Sequence, residues 1–204
     1  MTDEKLLIKQ AASGNQDAFA QLVEAYQKSV YNLCLRMVSN PTDAEDLAQE
    51  AFVKAWRGLQ SYKFESAFST WLYRLTGNVC IDFLRQQKRR SVISLTASEE
   101  DAPELDIPDP DPLPEEQVLH REKQQAVADA MAKLQDSERL ILTLRVVEEL
   151  SYEQIAEAMD IKIGTVKSRI ARARERLRKI LLQNGNIFGN FSSNQTERGR
   201  DHEM

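Results

Sequence analysis

Thr165, Lys167, Ser168, Arg169, Arg172 and Arg174 occupy the polar faces of a segment whose apolar residues, Val166, Ile170, Ala173, Leu177 and Ile180, recur at spacings of three and four. That spacing predicts one helix with a buried stripe and a basic exterior. On such a helix, arginine and lysine can bond guanine edges in a DNA major groove, and serine or threonine can serve any base. Upstream, Ser151 and Gln154 have the spacing of a capping box, and Leu150 and Ile155 are placed to staple the same helix start. Ile155, Ala156 and Met159 supply that helix with one apolar face. Asp160 to Gly164 is the connection, and Gly164 opens the second helix. Two short helices, a tight turn and a basic second helix make a helix-turn-helix pattern. An ordinary amphipathic pair with a solvated basic face is the competing reading. Capping box, turn and basic face together favour DNA.

Three other groups carry possible chemistry. Asp43, Asp46 and Glu50 share a helix face with Gln49 beside them, and Glu45 lies close by. Each acid alone reads as a partner for the helix dipole. A metal site is disfavoured because no histidine is near. A docking face for a basic partner is the third reading. Tyr62, Phe64 and Phe68, with Lys63, fall in a connection from Arg57 to Ser69. Aromatics there can plug a core, which the loop alone slightly favours, or stack on unpaired bases. Asn78, Asp82 and Arg85 then project from one face of the next helix, which ends in Arg85, Lys88, Arg89 and Arg90. Cations suit any helix C-terminus. Following an aromatic loop, they also suit a groove for single-stranded nucleic acid.

The elements that must position these groups are helical. Residues 3 to 13 predict a short helix ending at Gly14. Asn15 to Val38 carries one apolar face and stops at Asn40-Pro41. Thr42 is placed to cap the acid-rich helix, whose buried stripe is Ala44, Leu47, Ala48, Ala51, Phe52, Ala55 and Trp56. Thr70 to Arg90 buries Trp71, Leu72, Leu75, Val79 and Phe83. Val118 to Lys133 and Ser137 to Val147 are the helices before the helix-turn-helix; Asp136 or Ser137 caps the latter, which buries Leu140, Ile141, Leu144 and Val147. The fold class expected is therefore all-α.

The net charge of −5 conceals an alternation. Residues 54 to 90 hold eight Lys/Arg against two acids, residues 91 to 118 hold nine acids and no base, and residues 162 to 182 hold eight bases against Glu175. Five of the six prolines lie in the acidic block. Such a composition cannot bury a core and reads as a linker. The expected organisation is residues 1–90 as one domain, 91–117 as linker, 118–183 as a second domain, and 184–204 as a polar, aperiodic tail. Cys34 and Cys80 read as buried structural thiols, a disulfide being possible but not favoured. With His120 and His202 they make a poor zinc set, so no metal and no cofactor are expected. No signal-peptide core or membrane-length apolar run is present, so a cytoplasmic protein without membrane insertion is expected.

Three blocks in order, DAEDLAQEAFVKAW (43 to 56), FSTWLYRLTGNVCIDFLRQQKRR (68 to 90) and SYEQIAEAMDIKIGTVKSRIARARERLRK (151 to 179), resemble a bacterial sigma factor of the sigma-70 family, extracytoplasmic-function (ECF) group. The resemblance covers about residues 10 to 182. It implies two helical domains, regions 2 and 4, joined by a variable linker, and no catalysis. It also implies binding to core RNA polymerase, through its clamp helices and flap, and to promoter DNA, both duplex and single-stranded. Asp43, Asp46, Gln49 and Glu50 match the positions that dock on the clamp helices. The loop from Arg57 to Phe68, with Tyr62 and Phe64, matches the part that captures a flipped base of the −10 element. Asn78, Asp82 and Arg85 match the pattern after it, with Asn78 in the −10 pocket, while Lys88, Arg89 and Arg90 would meet duplex phosphates. Lys167, Ser168, Ala171 and Arg172 match positions facing −35 bases, and Thr165, Arg169 and Arg174 would grip phosphates. The acidic linker would follow the RNA exit path and let the domains pack together or move apart. An anti-sigma factor that holds the protein inactive until a stress signal is a further implied partner. Where the family often has proline, this chain has Gln135 and Lys162, both in turns.

Two rival functions bracket this reading. A free-standing helix-turn-helix regulator would bind operator duplex alone, usually as a dimer, and leaves residues 57 to 90 without a task. A metal-dependent hydrolase built on Asp43, Glu45, Asp46 and Glu50 lacks a histidine among its ligands.

Overall fold

The computed structural model describes residues 2–94 and 125–183. They form eight α-helices and no strand. α1 spans Thr2–Ala12, α2 Gln16–Val38, α3 Pro41–Gly58 and α4 Phe68–Ser94, with a 3-10 turn at Leu59–Ser61 after α3. Residues 125–132 are α5. α6 spans Asp136–Val146, α7 Tyr152–Met159 and α8 Ile163–Gln183. The all-α expectation holds. The expected linker falls outside the described residues from 95 onward, as do the tail from 184, residues 118–124 of the expected helix, and both histidines.

Local chemistry sets the boundaries. Gly14 takes φ +95°, a turn geometry that costs glycine nothing. Asn15 then caps α2, its side chain accepting from the Ala18 N–H at 3.0 Å. Ser39 ends α2 in a left-handed conformation and donates its N–H to Leu35 O at 2.8 Å. α3 is capped by Asn40, whose Oδ1 accepts from Asp43 N–H at 3.1 Å, not by Thr42. Pro41 takes the first helical position, where its missing N–H is no loss. Gln135 stands at the N-cap of α6, its N–H donating to Glu138 Oε2 at 3.2 Å; Asp136 and Ser137 lie inside the helix. The Arg57–Ser69 connection is shorter than expected, because α3 and the 3-10 turn continue to Ser61 and α4 begins at Phe68. α4 also runs past Arg90 to Ser94.

α1 to α4 pack into one bundle, with α2 against α1, α3 and α4; α6 packs on α7 and α8 in a second. The two bundles meet. α4 lies against α7 and α6, and α2 against α6, so the buried side chains form one cluster. That contact corrects several expected faces. α4 is sandwiched, so Tyr73, Thr76, Gly77 and Cys80 are buried besides Trp71, Leu72 and Val79, while Leu75 and Phe83 are only half-buried. α7 lies between α8 and α4 and buries Ala158 with Ile155, leaving Ala156 and Met159 half-buried. α6 packs against α2, α4, α7 and α8 and buries Arg139, Leu142 and Thr143 with Leu140, Ile141 and Leu144. Val147 stands past its end and is exposed.

Candidate nucleic-acid interface

The helix-turn-helix forms as its residues dictate. Ser151 N–H donates to Gln154 Oε1 at 2.8 Å, and Gln154 N–H to Ser151 Oγ at 3.2 Å, completing the capping box. Leu150 and Ile155 are both buried beside it. Asp160 turns the chain in a left-handed conformation, and Ile161 N–H closes back on Ala156 O at 2.9 Å. α8 starts at Ile163, one residue before Gly164. A Cβ on Gly164 would meet nothing within 4 Å, so packing does not require glycine there.

α8 buries Val166, Ile170 and Ala173 and half-buries Leu177 and Ile180. Its opposite side presents Lys167, Ser168, Ala171, Arg172 and Arg174 to solvent, with Thr165 and Arg169 half-buried at the rim. Ser168 Oγ donates to Thr165 O at 3.0 Å. Arg176 and Arg178 are drawn away to Glu138, at 3.4 Å, and Glu175, at 3.0 Å. Among the described residues no such ion pair holds Lys167, Arg172 or Arg174. The exposed cations therefore cluster toward the helix N-terminal half, the end a recognition helix presents to base edges.

The second surface lies at the start of α4. Tyr62 and Phe68 plug the loop. The Tyr62 ring packs 5.2 Å from Trp71 and 5.8 Å from Phe68, and its hydroxyl donates to Ser66 O at 2.6 Å. Burial pushes that hydroxyl's pKa up, so it stays a donor. Phe64 differs: it is 40% exposed, rests on Tyr62 at 4.8 Å between ring centres, and takes φ +59°. A non-glycine residue in that region stores strain. The loop thus divides into plugs, as its residues alone favoured, and one displayed ring. Asn78, Asp82 and Arg85 line the exposed side of α4, Asp82 and Arg85 being 3.6 Å apart. Arg89 and Arg90 are exposed, but Lys88 reaches Asp136 at 2.8 Å, at the start of α6.

Asp43, Asp46, Gln49 and Glu50 form the solvent side of α3, with Asp43 half-buried and Glu50 paired to Lys54 at 2.8 Å. Sequence reasoning missed what flanks them. Gln49 and Glu45 open onto a groove of about 470 Å³ shared with Val23, Tyr31 and Phe52. Around the corner Phe19, Val53 and Trp56 line a second, apolar hollow. Trp56 and Phe52 were read as buried stripe; both are only half-buried, and nothing in their spacing marked the groove.

Cys34 and Cys80 are brought together, buried and free, with sulfurs 3.7 Å apart. The hydrogen bond to the Cys34 thiol and burial push the Cys80 pKa far up, so the Cys80 thiol stays protonated. Among the described residues no group of three or more His, Cys, Asp or Glu could hold a metal ion, and no helix is long and apolar enough to cross a membrane.

A helix-turn-helix bundle joined to a bundle with an aromatic loop and basic helix end defines a two-part DNA-directed protein. Residues 22–90 match Sigma-70 region 2, and residues 124–177 match Sigma-70, region 4. The ECF RNA polymerase sigma factor SigW of Bacillus subtilis is 39% identical over 87% of this chain and 96% of its own length. The ECF RNA polymerase sigma-E factor of Haemophilus influenzae is 41% identical over 86% and 93%. The chain belongs to the ECF sigma factors of the sigma-70 family. Among solved structures, CnrH in complex with the cytosolic domain of CnrY aligns with a TM-score of 0.65 at 25% identity, over 89% of this chain and 99% of that one. The sigma factor RpoE in complex with the anti-sigma factor NepR from Bartonella quintana aligns at 0.61 and 26%, over 80% and 96%.

Proposed function

We propose that this sigma factor binds core RNA polymerase and directs it to promoters through a −35 element read by α8 and a −10 element melted at the loop before α4. The observation that carries the reading is the presence in one chain of two separate exposed surfaces of different kind. One is a basic helix shaped for a duplex groove; the other is a displayed aromatic ring beside polar groups. A duplex reader alone has no use for the second. Lys167, Ser168, Ala171 and Arg172 are assigned to base edges, and Thr165, Arg169 and Arg174 to phosphates. Phe64, supported by Tyr62, offers a stacking face for an unpaired base. Asn78, Asp82 and Arg85 offer polar contacts, while Lys88, Arg89 and Arg90 serve the adjoining duplex.

Polymerase docking is assigned to Asp43, Asp46, Gln49 and Glu50, with the groove behind Gln49 as its apolar complement. The clamp helices are the expected partner of this face, and the flap that of region 4. CnrH and RpoE, similar in fold, are described bound to a partner domain or anti-sigma factor, which supports an anti-sigma factor as a second partner here and a role in a stress response. The chain acts in the cytoplasm and supplies no catalysis of its own. The test is co-elution with sigma-free core polymerase, followed by run-off transcription on fragmented genomic DNA. Discrete transcript starts are expected. Duplex binding without polymerase association would transfer the protein to the free-standing regulators.

A further inference from the structure

Cys34 and Cys80 are the two cysteines of the chain, and none of the surfaces assigned above uses them. Both are fully buried, Cys34 near the end of α2 and Cys80 in the middle of α4. The Cys80 thiol donates to Cys34 Sγ across the α2–α4 contact, with the sulfurs 3.7 Å apart. Disulfide sulfurs lie about 2.05 Å apart, so an approach of roughly 1.7 Å separates this contact from a covalent bond. The two positions are 46 apart in sequence. Between them lie α3 and the aromatic loop, with Asp43, Asp46, Gln49, Glu50, Tyr62 and Phe64. A bond here would close that whole stretch into a loop and restrict the unfolded chain. The packing that aligns the sulfurs also shields them. The thiolate is the reactive form, and a dry, protonated thiol between two helices offers none. Reaction therefore waits on a separation of α2 from α4 that admits water and oxidant.

We propose that Cys34 and Cys80 form a reversible redox latch within region 2, closed into a disulfide by hydrogen peroxide when the α2–α4 contact opens. The latch does not depend on how the surfaces around it read DNA. In the opened chain one thiol gives its proton to water. Its thiolate sulfur attacks a peroxide oxygen: an S–O bond forms, the O–O bond breaks, and the departing hydroxide takes up a proton as water. The other sulfur then attacks the sulfenic sulfur. The S–S bond forms, the S–O bond breaks, and the remaining thiol proton leaves with the hydroxyl as a second water. Two thiols lose two electrons, and one peroxide is reduced to two waters. A dithiol reopens the bond by exchange, as suits a disulfide that is transient in a reducing compartment. Once the helices repack, α2 and α4 are fixed together, and the acidic face and aromatic loop are held between them. Peroxide alone meets a shielded pair, and heat alone opens a contact that closes again on cooling. The latch answers to the two together.

The test treats the full chain with hydrogen peroxide at room temperature and again a few degrees below its Tm. The monomer is then alkylated in denaturant and digested with trypsin. Cleavage after Lys28, Arg36, Arg74 and Arg85 gives peptides 29–36 and 75–85, with one cysteine each. The expected product is this pair joined through sulfur and released by dithiothreitol, formed more than about tenfold faster near the Tm than at room temperature. The cooled, oxidised chain should melt about 5–10 °C above the same sample after dithiothreitol. Cys34→Ala and Cys80→Ala should give no joined pair and stop at a sulfenic acid, read as a dimedone adduct, with no gain in Tm. Should either variant fail to fold, the wild-type chain before and after dithiothreitol decides the matter alone. Four results overturn the proposal: thiols left unreacted near the Tm, sulfinic or sulfonic acid in place of the joined pair, a joined pair that lowers the Tm, or joining as fast at room temperature as near the Tm.

Discussion

Arg139 of α6 donates through Nη1 to the carbonyl oxygen of Met37, in the last turn of α2. The same guanidinium donates to Met131 O at 2.9 Å and to Ala132 O, the final carbonyls of α5. One arginine, 6% exposed, thus closes the C-terminal ends of two helices, one in each bundle. Carbonyls that end a helix lack partners and carry its negative pole. The buried cation is held by these carbonyls, with the nearby Asp136 carboxylate also favouring its charge against the cost of burial.

Arg139→Met removes three hydrogen bonds from a charged donor and leaves the carbonyl oxygens dry. The expected loss is about 3 kcal/mol of unfolding free energy, together with an increase in radius of gyration. Urea denaturation and small-angle scattering check the two effects. A stability loss without expansion would mean that the arginine serves region 4 alone.

Glu148 makes bundle packing pH-dependent. Burial pushes its carboxyl pKa above the usual value, outweighing the hydrogen bond from Tyr73, which lowers it. A carboxyl with a raised pKa in the packed form binds its proton more tightly there. Packing therefore gains as pH falls toward the ordinary carboxylate range and weakens as pH rises through the raised value. The radius of gyration should shrink as pH is lowered from neutrality toward the ordinary carboxylate range. Glu148→Gln keeps an acceptor for Tyr73 and should flatten the profile.

Arg172→Ala should weaken −35 recognition by about 1–3 kcal/mol, unequally across base variants. Competition binding against a set of single-base −35 variants separates this from a phosphate contact, which would weaken all of them alike.

Asn78→Ala should reduce open-complex formation by polymerase holoenzyme, read by permanganate reactivity of the −10 strand, while −35 binding stays within twofold. Equal loss of both would remove Asn78 from the −10 assignment.

Ser151→Ala breaks the capping box that starts α7. The expected cost is about 1 kcal/mol, read as a lowered Tm, with duplex binding falling only through the unfolded fraction.

Some of this was legible in the residues. The α8 stripe, the Ser151–Gln154 box and the exposure of Lys167 and Arg172 depend on neighbours three or four positions away, and they emerged as spaced. The faces of α4, α6 and α7 did not. Periodicity predicts one buried stripe per helix, whereas α4 is covered from two sides. Tyr73 and Gly77 were therefore unmarked, and Val147 was expected inside. Arg139 reads as an exposed charge in any local window, because its carbonyl partner on α2 lies 102 residues away. The assignments of Asp43 to Glu50 came from the family resemblance, whose motif marks the face but not the groove behind it.

The left-handed backbone at Phe64 sets stability against the stacking role proposed for that ring. A side chain in that conformation costs about 1–2 kcal/mol relative to glycine. A chain selected only for persistence would soon replace the ring, since Phe64→Gly relieves strain at an exposed position and should raise the melting temperature. On the proposed stacking role of Phe64, heat tolerance and strand separation pull in opposite directions at this position. Directed evolution for thermostability, run without a transcription screen, should find this residue early and disable the protein as it improves it.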